Sequence, residues 1–353
     1  MSRLLSRRAL GVIALVAAAV ATAVGVLVVR AEGKPGSADA IPAITRPEFE
    51  SPAVASRLLL PTDLVLGVDI HGDARAYPVK LLALHEAVDD EVGGRPIVVT
   101  WCPLCASGVV FDRRVAGRVL TFGITGRLYG VNQVLYDFQT QSLWSQLATA
   151  AIRGVLRGRK LRLVPASEQS WRAWRAAHPH TRVLSIRRDQ FASDFVHPFS
   201  YVDFRGEESS DDPYLAYEQK ISVYYGPRIE GVSGASHVVG LLLRGEAKAY
   251  PQELVQRVRV VNDRIRGVAV VIFWNGLASA PSVYSRRIGD RLLRFRSAHD
   301  AVVDTSTRSR WDPASGRAVR GRLAGKSLPA IAFTYPYWFA WHSFHPRTLV
   351  AHR

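Results

Sequence analysis

Val99-Thr100-Trp101-Cys102-Pro103-Leu104-Cys105-Ala106-Ser107-Gly108 holds both cysteines of this 353-residue chain. They stand three positions apart, at the exit of the apolar run Pro96–Trp101. Two thiols at this spacing can close a disulfide, cycle as a redox dithiol, or give a metal two of its ligands. The spacing leaves all three chemistries open. A thioredoxin-like pair opens a helix, whose N-terminus acidifies the first thiol. Here Val109-Val110-Phe111 follows and reads as a strand, so that source of acidity is missing.

A metal would need donors beyond the two thiolates, and only histidine or carboxylate remains. His85 is the leading candidate, with Glu86 beside it. Zinc would accept such a set, and copper suits two thiolates and a histidine. The strand from Pro96 to Cys102 is about 20 Å long at ~3.3 Å per residue. His85 precedes its start, so the groups meet only if Asp89 to Arg95 folds back. Tyr129, Asn132 and Gln146 are further polar residues placed to line a pocket. A structural disulfide suits an exported chain, although so short a loop gains little from loop entropy. No Gly-x-Ser-x-Gly, His-Glu-x-x-His or P-loop pattern occurs, which removes the familiar hydrolase and nucleotide-binding motifs.

Outward from the cysteines, short alternating runs and turns dominate. Leu64–Ile70 and Ala74–Tyr77 around His71-Gly72-Asp73 predict a hairpin. Pro78 opens a short helix to about Ala87. Strands are expected at Pro96–Trp101, Val109–Phe111, Arg118–Gly123, Gln133–Tyr136, Ser142–Ser145 and Lys160–Val164. A helix is expected from Ser170, its N-cap, to Ala177. Trp101, Trp144, Trp171 and Trp174 read as core, and Asp137 with Thr140 as turn chemistry.

The pattern then recurs. Ala76-Tyr77-Pro78, Val88-Asp89-Asp90 and Trp101 return 173 positions later as Ala249-Tyr250-Pro251, Val261-Asn262-Asp263 and Trp274. Asp137, Trp144, Arg153-Gly154, Trp174, His178-Pro179 and Thr181 return 167 positions later, as Asp304, Trp311, Arg320-Gly321, Trp341, His345-Pro346 and Thr348. An internal duplication of a whole domain is the simplest reading, with about six residues lost between the two groups. Features in both copies serve the shared fold. Cys102, Cys105 and His85 align with Asn275, Ala278 and Val258, so their chemistry belongs to the first copy alone.

The formal charge is +16 and the pI about 10.3, carried almost wholly by arginine. The arginines are scattered and not interleaved with aromatics, which argues against nucleic acid as a partner. Apolar residues make up 48% of the chain, enough for packed cores. Arg3, Arg7 and Arg8 precede the apolar run Ala9–Val29, whose 21 residues reach across the roughly 30 Å hydrocarbon layer. Basic residues on its N-terminal side predict a membrane anchor with the remainder outside the cytoplasm. Ser6-Arg7-Arg8-Ala9-Leu10 is loosely like a twin-arginine export signal, and cleavage after Ala31 would release the protein.

As a set, Ala74-Arg75-Ala76-Tyr77-Pro78, His85-Glu86, Thr100-Trp101-Cys102-Pro103-Leu104-Cys105, Leu120-Thr121-Phe122-Gly123, Tyr136-Asp137 and Ser142-Leu143-Trp144-Ser145-Gln146 resemble domain-of-unknown-function family 3179 (DUF3179). The resemblance runs from about Pro47 to the C-terminus. It implies an exported or membrane-tethered prokaryotic protein and no particular activity. Family members usually carry Gly after the second cysteine, where Ala106 stands here. They carry Trp before His-Glu and Asn-Asp after it, where Leu84 and Asp89-Asp90 stand.

The expectation is a β-rich α+β protein of two homologous tandem halves of antiparallel strands with short helices, plus one N-terminal transmembrane helix. Residues 1–31 are the signal or anchor, 32–60 a linker, and 61–186 the first repeat domain. Residues 187–235 connect it to a degenerate second repeat at 236–353. The partners expected are the membrane, through the N-terminal helix, and an envelope component of unknown kind.

Overall fold

The computed structural model describes residues 41–185, 228–298 and 301–352. The expected anchor, the start of the expected linker and most of the expected connector lie outside the described residues. Among the described residues, no helix is long and apolar enough to cross a membrane.

The protein is β-rich, with several antiparallel sheets and a few short helices. The predicted hairpin forms, Leu64–Ile70 pairing with Asp73–Pro78 so that Ile70 faces Asp73. Its turn residues His71 and Gly72 have φ of 55° and 86°, the left-handed pair whose twist matches the flanking strands. Gly67, mid-strand, has a tertiary reason to be glycine: a Cβ there would lie 2.3 Å from the Trp174 ring. Val79–His85 is the helix expected after Pro78. Trp171–Ala177 also forms, but the Ser170 hydroxyl makes no cap bond and stays unpartnered.

Three main sheets are built from strands before residue 185. The first orders Phe49–Glu50, Arg182–Leu184, Asp73–Pro78, Leu64–Ile70 and Ser167–Ser170, with Arg182–Leu184 parallel to Asp73–Pro78. The second orders Arg162–Val164, Ser107–Asp112, Arg95–Cys102 and Ala87–Val92. The third orders Ala150–Arg153, Leu143–Ser145, Asn132–Asp137 and Phe122–Tyr129. Trp101, Trp144, Trp171 and Trp174 are all at most 3% exposed, as expected of core. Each buries some 150–250 Å², worth about 4–6 kcal/mol before entropy is charged.

Part of the expected linker is not free. Ile44 donates to the Ala87 carbonyl (2.9 Å) and accepts from the Asp89 N–H (2.8 Å). Phe49–Glu50 pairs with Val183–Leu184. An isoleucine-bearing extended segment beside an open strand edge gains both pairing and burial, which composition alone does not reveal.

Strands after residue 238 repeat many of these details. Tyr77 Oη donates to Asp90 at 2.6 Å, and Tyr250 Oη to Asp263 at 2.7 Å. Trp144 Nε1 donates to Asp137 at 2.9 Å, and Trp311 Nε1 to Asp304 at 3.1 Å. Trp174 and Trp341 each donate to a threonine hydroxyl, Thr181 and Thr348, at 3.0 Å. Glu86 O accepts from Trp101 N, and Arg259 O from Trp274 N, both at 2.9 Å. One hairpin differs in length. Fifteen positions separate the paired Phe122 and Asp137 (137 − 122), but nine separate the paired Phe295 and Asp304 (304 − 295). The later hairpin is therefore six residues shorter between these paired ends.

A candidate site at the two cysteines

Arg95–Cys102 is an inner strand of its sheet, buried from Pro96 onward. A strand buried on both faces reads as an unbroken apolar run, and that is what precedes Cys102. Pro103–Cys105 then forms a single 3-10 turn. Ala106 follows in the left-handed region at φ 44° and donates to Pro103 O at 3.2 Å. The turn returns the chain so that Ser107 pairs with Cys102. The cysteines thus cap a β-connection and do not open an α-helix, in line with the strand expected after them.

The chain from Asp89 to Arg95 does fold back. Ala87–Val92 pairs antiparallel with Arg95–Cys102, with Ala87 opposite Thr100. This register carries Glu86, the residue that ends the preceding helix at φ 55°, to the cysteine end of the strand. His85 goes elsewhere: its Nδ1 meets the Pro42 carbonyl at 2.6 Å, and burial pushes its pKa down. Among the described residues, no group of three His, Cys, Asp or Glu side chains is spaced to hold a metal ion. This arrangement does not bring His85 into a three-donor group with the cysteines. A left-handed residue at 86 turns successive side chains to different sides.

Amides ring the sulfurs. Asn132 Nδ2 lies 3.5 Å from Cys105 Sγ and donates to Gln146 Oε1 at 2.8 Å. Asn132 Oδ1 accepts from Leu147 N at 2.9 Å. Gln146 Nε2 donates to Thr100 Oγ1 (2.9 Å) and to Ser107 O (3.2 Å). Cys105 Sγ donates to Val131 O at 3.0 Å. With its amide oriented to satisfy both ends, Gln133 Nε2 donates to Glu86 Oε2 (2.6 Å) and Trp101 O (2.9 Å). Asn132 and Gln146 therefore lie beside the cysteines. Tyr129 is 50% exposed, with its ring 5.9 Å from that of Phe344, which packs at the edge of the cysteine cluster. Gln133, Thr100 and the opposite end of the chain were missed. The only signal for Gln133 was its position next to Asn132 on an alternating strand.

The two thiols differ in acidity. Burial opposes the Cys102 thiolate, but Cys105, the Gln133 and Cys105 backbone N–H groups and the Asn132 amide all hydrogen-bond to it, holding its pKa below the ordinary value. Burial raises Cys105, and its bond to the Cys102 sulfur raises it further. Burial also lifts the Glu86 carboxyl well above the usual range, helped by the nearby Cys102 charge. Both cysteines are free thiols, 1% and 0% exposed.

Their cover comes from far along the sequence. Tyr337 N donates to Cys105 O at 3.0 Å. Ala340 packs with Cys102, Leu104, Cys105 and Leu147, flanked by Val131, Phe339 and Phe344. Helix Trp338–Phe344 closes the site. In the second half, Asn275 stands where Cys102 does, and its Oδ1 accepts from Leu277 N (3.0 Å) and Ala278 N (3.3 Å). There an amide oxygen caps the turn, whereas the Cys102 side chain makes no cap bond to the turn that follows it.

Comparison with curated proteins and with solved structures found no match. The family model described as "Protein of unknown function (DUF3179)" matches residues 38–348, nearly the whole length. This chain belongs to the DUF3179 family.

Proposed function

We propose that the chain is a membrane-tethered, extracytoplasmic protein whose Cys102–Cys105 pair is a thiol–disulfide centre. In this reading its two halves arose by duplication, with boundaries near 61–186 and 236–353. The first half keeps the chemistry, and the second supplies the cover. The observation that carries the proposal is geometric: two sulfurs three residues apart share one ring of amides, with Asn132 Nδ2 3.5 Å from Cys105 Sγ, and that ring favours the Cys102 thiolate while Cys105 is held protonated. A low-pKa attacking thiol beside a high-pKa resolving thiol is the arrangement that disulfide exchange needs. The Cys102 thiolate attacks one sulfur of a partner disulfide and expels the other as a thiolate, which takes a proton from water. Cys105 loses its proton to water and attacks the Cys102 sulfur. That closes the internal disulfide and releases the second partner thiolate. Two electrons pass from the dithiol to the partner.

Native protein treated with oxidised glutathione at pH 8 tests this. Wild type should lose both alkylatable thiols as an internal disulfide. Cys105→Ser should stop at a mixed disulfide, and Cys102→Ser should stay unmodified. Near-complete burial of both sulfurs favours a second reading, in which the pair only caps and packs the turn. Thiols inert in native protein yet reactive after denaturation would establish that reading and overturn the first. Stoichiometric zinc or copper on elemental analysis of protein purified without chelators would overturn both.

A further inference from the structure

The second half carries a cavity where the first half carries its cysteine site. It has a volume of about 1070 Å³ and lies against Trp274, Asn275, Gly276, Trp311, Arg259, Arg310 and Arg320, among others. Two differences open it. The hairpin Phe295–Ala298 with Ala301–Asp304 is the shortened one, so nothing corresponds to the tip that brings Asn132 and Gln133 over the cysteines. No helix described here covers it as Trp338–Phe344 covers the first site.

Its three arginines, Arg259, Arg310 and Arg320, are exposed at the cavity rim. Arg310 and Arg320 are directly opposed on neighbouring strands, where like charges destabilise a sheet. Arg259 occupies a left-handed position at φ 64° and stands where Glu86 stands in the first half. Its guanidinium lies over Gly276, where an added Cβ would come within 2.7 Å of Nη1. None of the three forms an ion pair among the described residues. The one carboxylate in the lining, Asp312, is taken up by its own turn, accepting from Ser315 Oγ (2.5 Å), Ser315 N (3.1 Å) and Ala314 N (3.2 Å). Trp274 and Trp311, 8% and 2% exposed, add apolar wall.

We infer that this cavity binds a small organic anion carrying two or more phosphate or carboxylate groups. Arg310 and Arg320 grip one group, and Arg259 grips another across the cavity. A bound anion turns the Arg310–Arg320 repulsion into shared attraction. The inference is independent of the cysteine chemistry, since no residue is shared with that site.

Calorimetric titration of the full chain with pyrophosphate and with citrate tests it. One saturable, salt-sensitive site for at least one of them is expected, and which probe binds separates phosphate from carboxylate. The triple variant R259A/R310A/R320A should weaken binding at least about tenfold. The variant R157A/R159A/R172A removes equal charge from arginines that are likewise exposed but lie away from the cavity, and should bind as wild type does. Should the triple variant fold poorly, Arg310→Ala alone must raise the melting temperature in anion-free buffer and lose most of the anion-induced rise. No saturable binding of either anion overturns the inference. Equal weakening in both triple variants, which marks diffuse attraction to a basic surface, overturns it as well.

Discussion

Ala106 occupies a left-handed position, φ 44°, in the turn that joins the cysteines to the next strand. Any side chain with a Cβ is strained there, by roughly 1 kcal/mol or somewhat more. Ala106→Gly should therefore stabilise the protein by about 0.5–1 kcal/mol, since glycine's extra freedom in the unfolded chain offsets part of the relief. Urea titration checks this. Glu86 acts on its neighbours through charge. When ionised it opposes a thiolate beside it, and the Cys102 charge in turn raises Glu86. Replacing it with glutamine keeps an acceptor for Gln133 and removes the charge. Glu86→Gln should shift the pH midpoint of iodoacetamide alkylation of the dithiol downward by about one unit. An unchanged or raised midpoint would show that the carboxyl is already protonated or lies too far away to couple.

Among elements, strand Ser167–Ser170 joins the first sheet and lies against Ala280–Ser285 of the second half. Glu168 sits in it with Oε2 shut off from solvent and unpartnered. Burial raises its pKa from 4.5 to about 8, against one backbone bond from Gly108. The folded state thus holds a proton that the unfolded chain releases. The associated stability is full below pH 4.5 and is lost as the pH rises toward 8. Thermal melts of wild type should fall across that window. Glu168→Gln should flatten the fall, and an equal slope in the variant would place the titrating group elsewhere. Helices matter here mainly as covers. At seven residues, Trp338–Phe344 is too short to be stable alone and depends on the surface it packs against.

On the scale of the molecule, that packing makes the cysteine site a joint between distant parts of the chain. A reagent reaches Cys102 when the cover opens, so loosening the cover should speed modification without changing thiol acidity. Phe344→Ala removes a half-buried ring beside Val131 and Leu104. If about 1.4 kcal/mol of that packing is lost in the closed state, the open population rises about tenfold. The rate of reaction with oxidised glutathione at fixed pH should rise in proportion. An unchanged rate would mean that reagent enters by another path.

What could be read from the residues was local or periodic. The hairpin at His71-Gly72, the buried tryptophans, the strand before Cys102 and the recurring Asp137/Asp304 turns follow from alternation and turn chemistry within a few neighbours. The two offsets, 173 and 167, also differ by six residues, though they do not say that the later hairpin is the shorter one. Tertiary structure alone decided that Glu86 comes beside Cys102 while His85 Nδ1 bonds the Pro42 carbonyl. It also decided that Tyr337 bonds Cys105, and that a shortened hairpin leaves a cavity ringed by arginine. Each of these depends on register and on contacts between residues up to hundreds of positions apart. Local preference cannot set such contacts, because their free energy appears only once the sheets have packed.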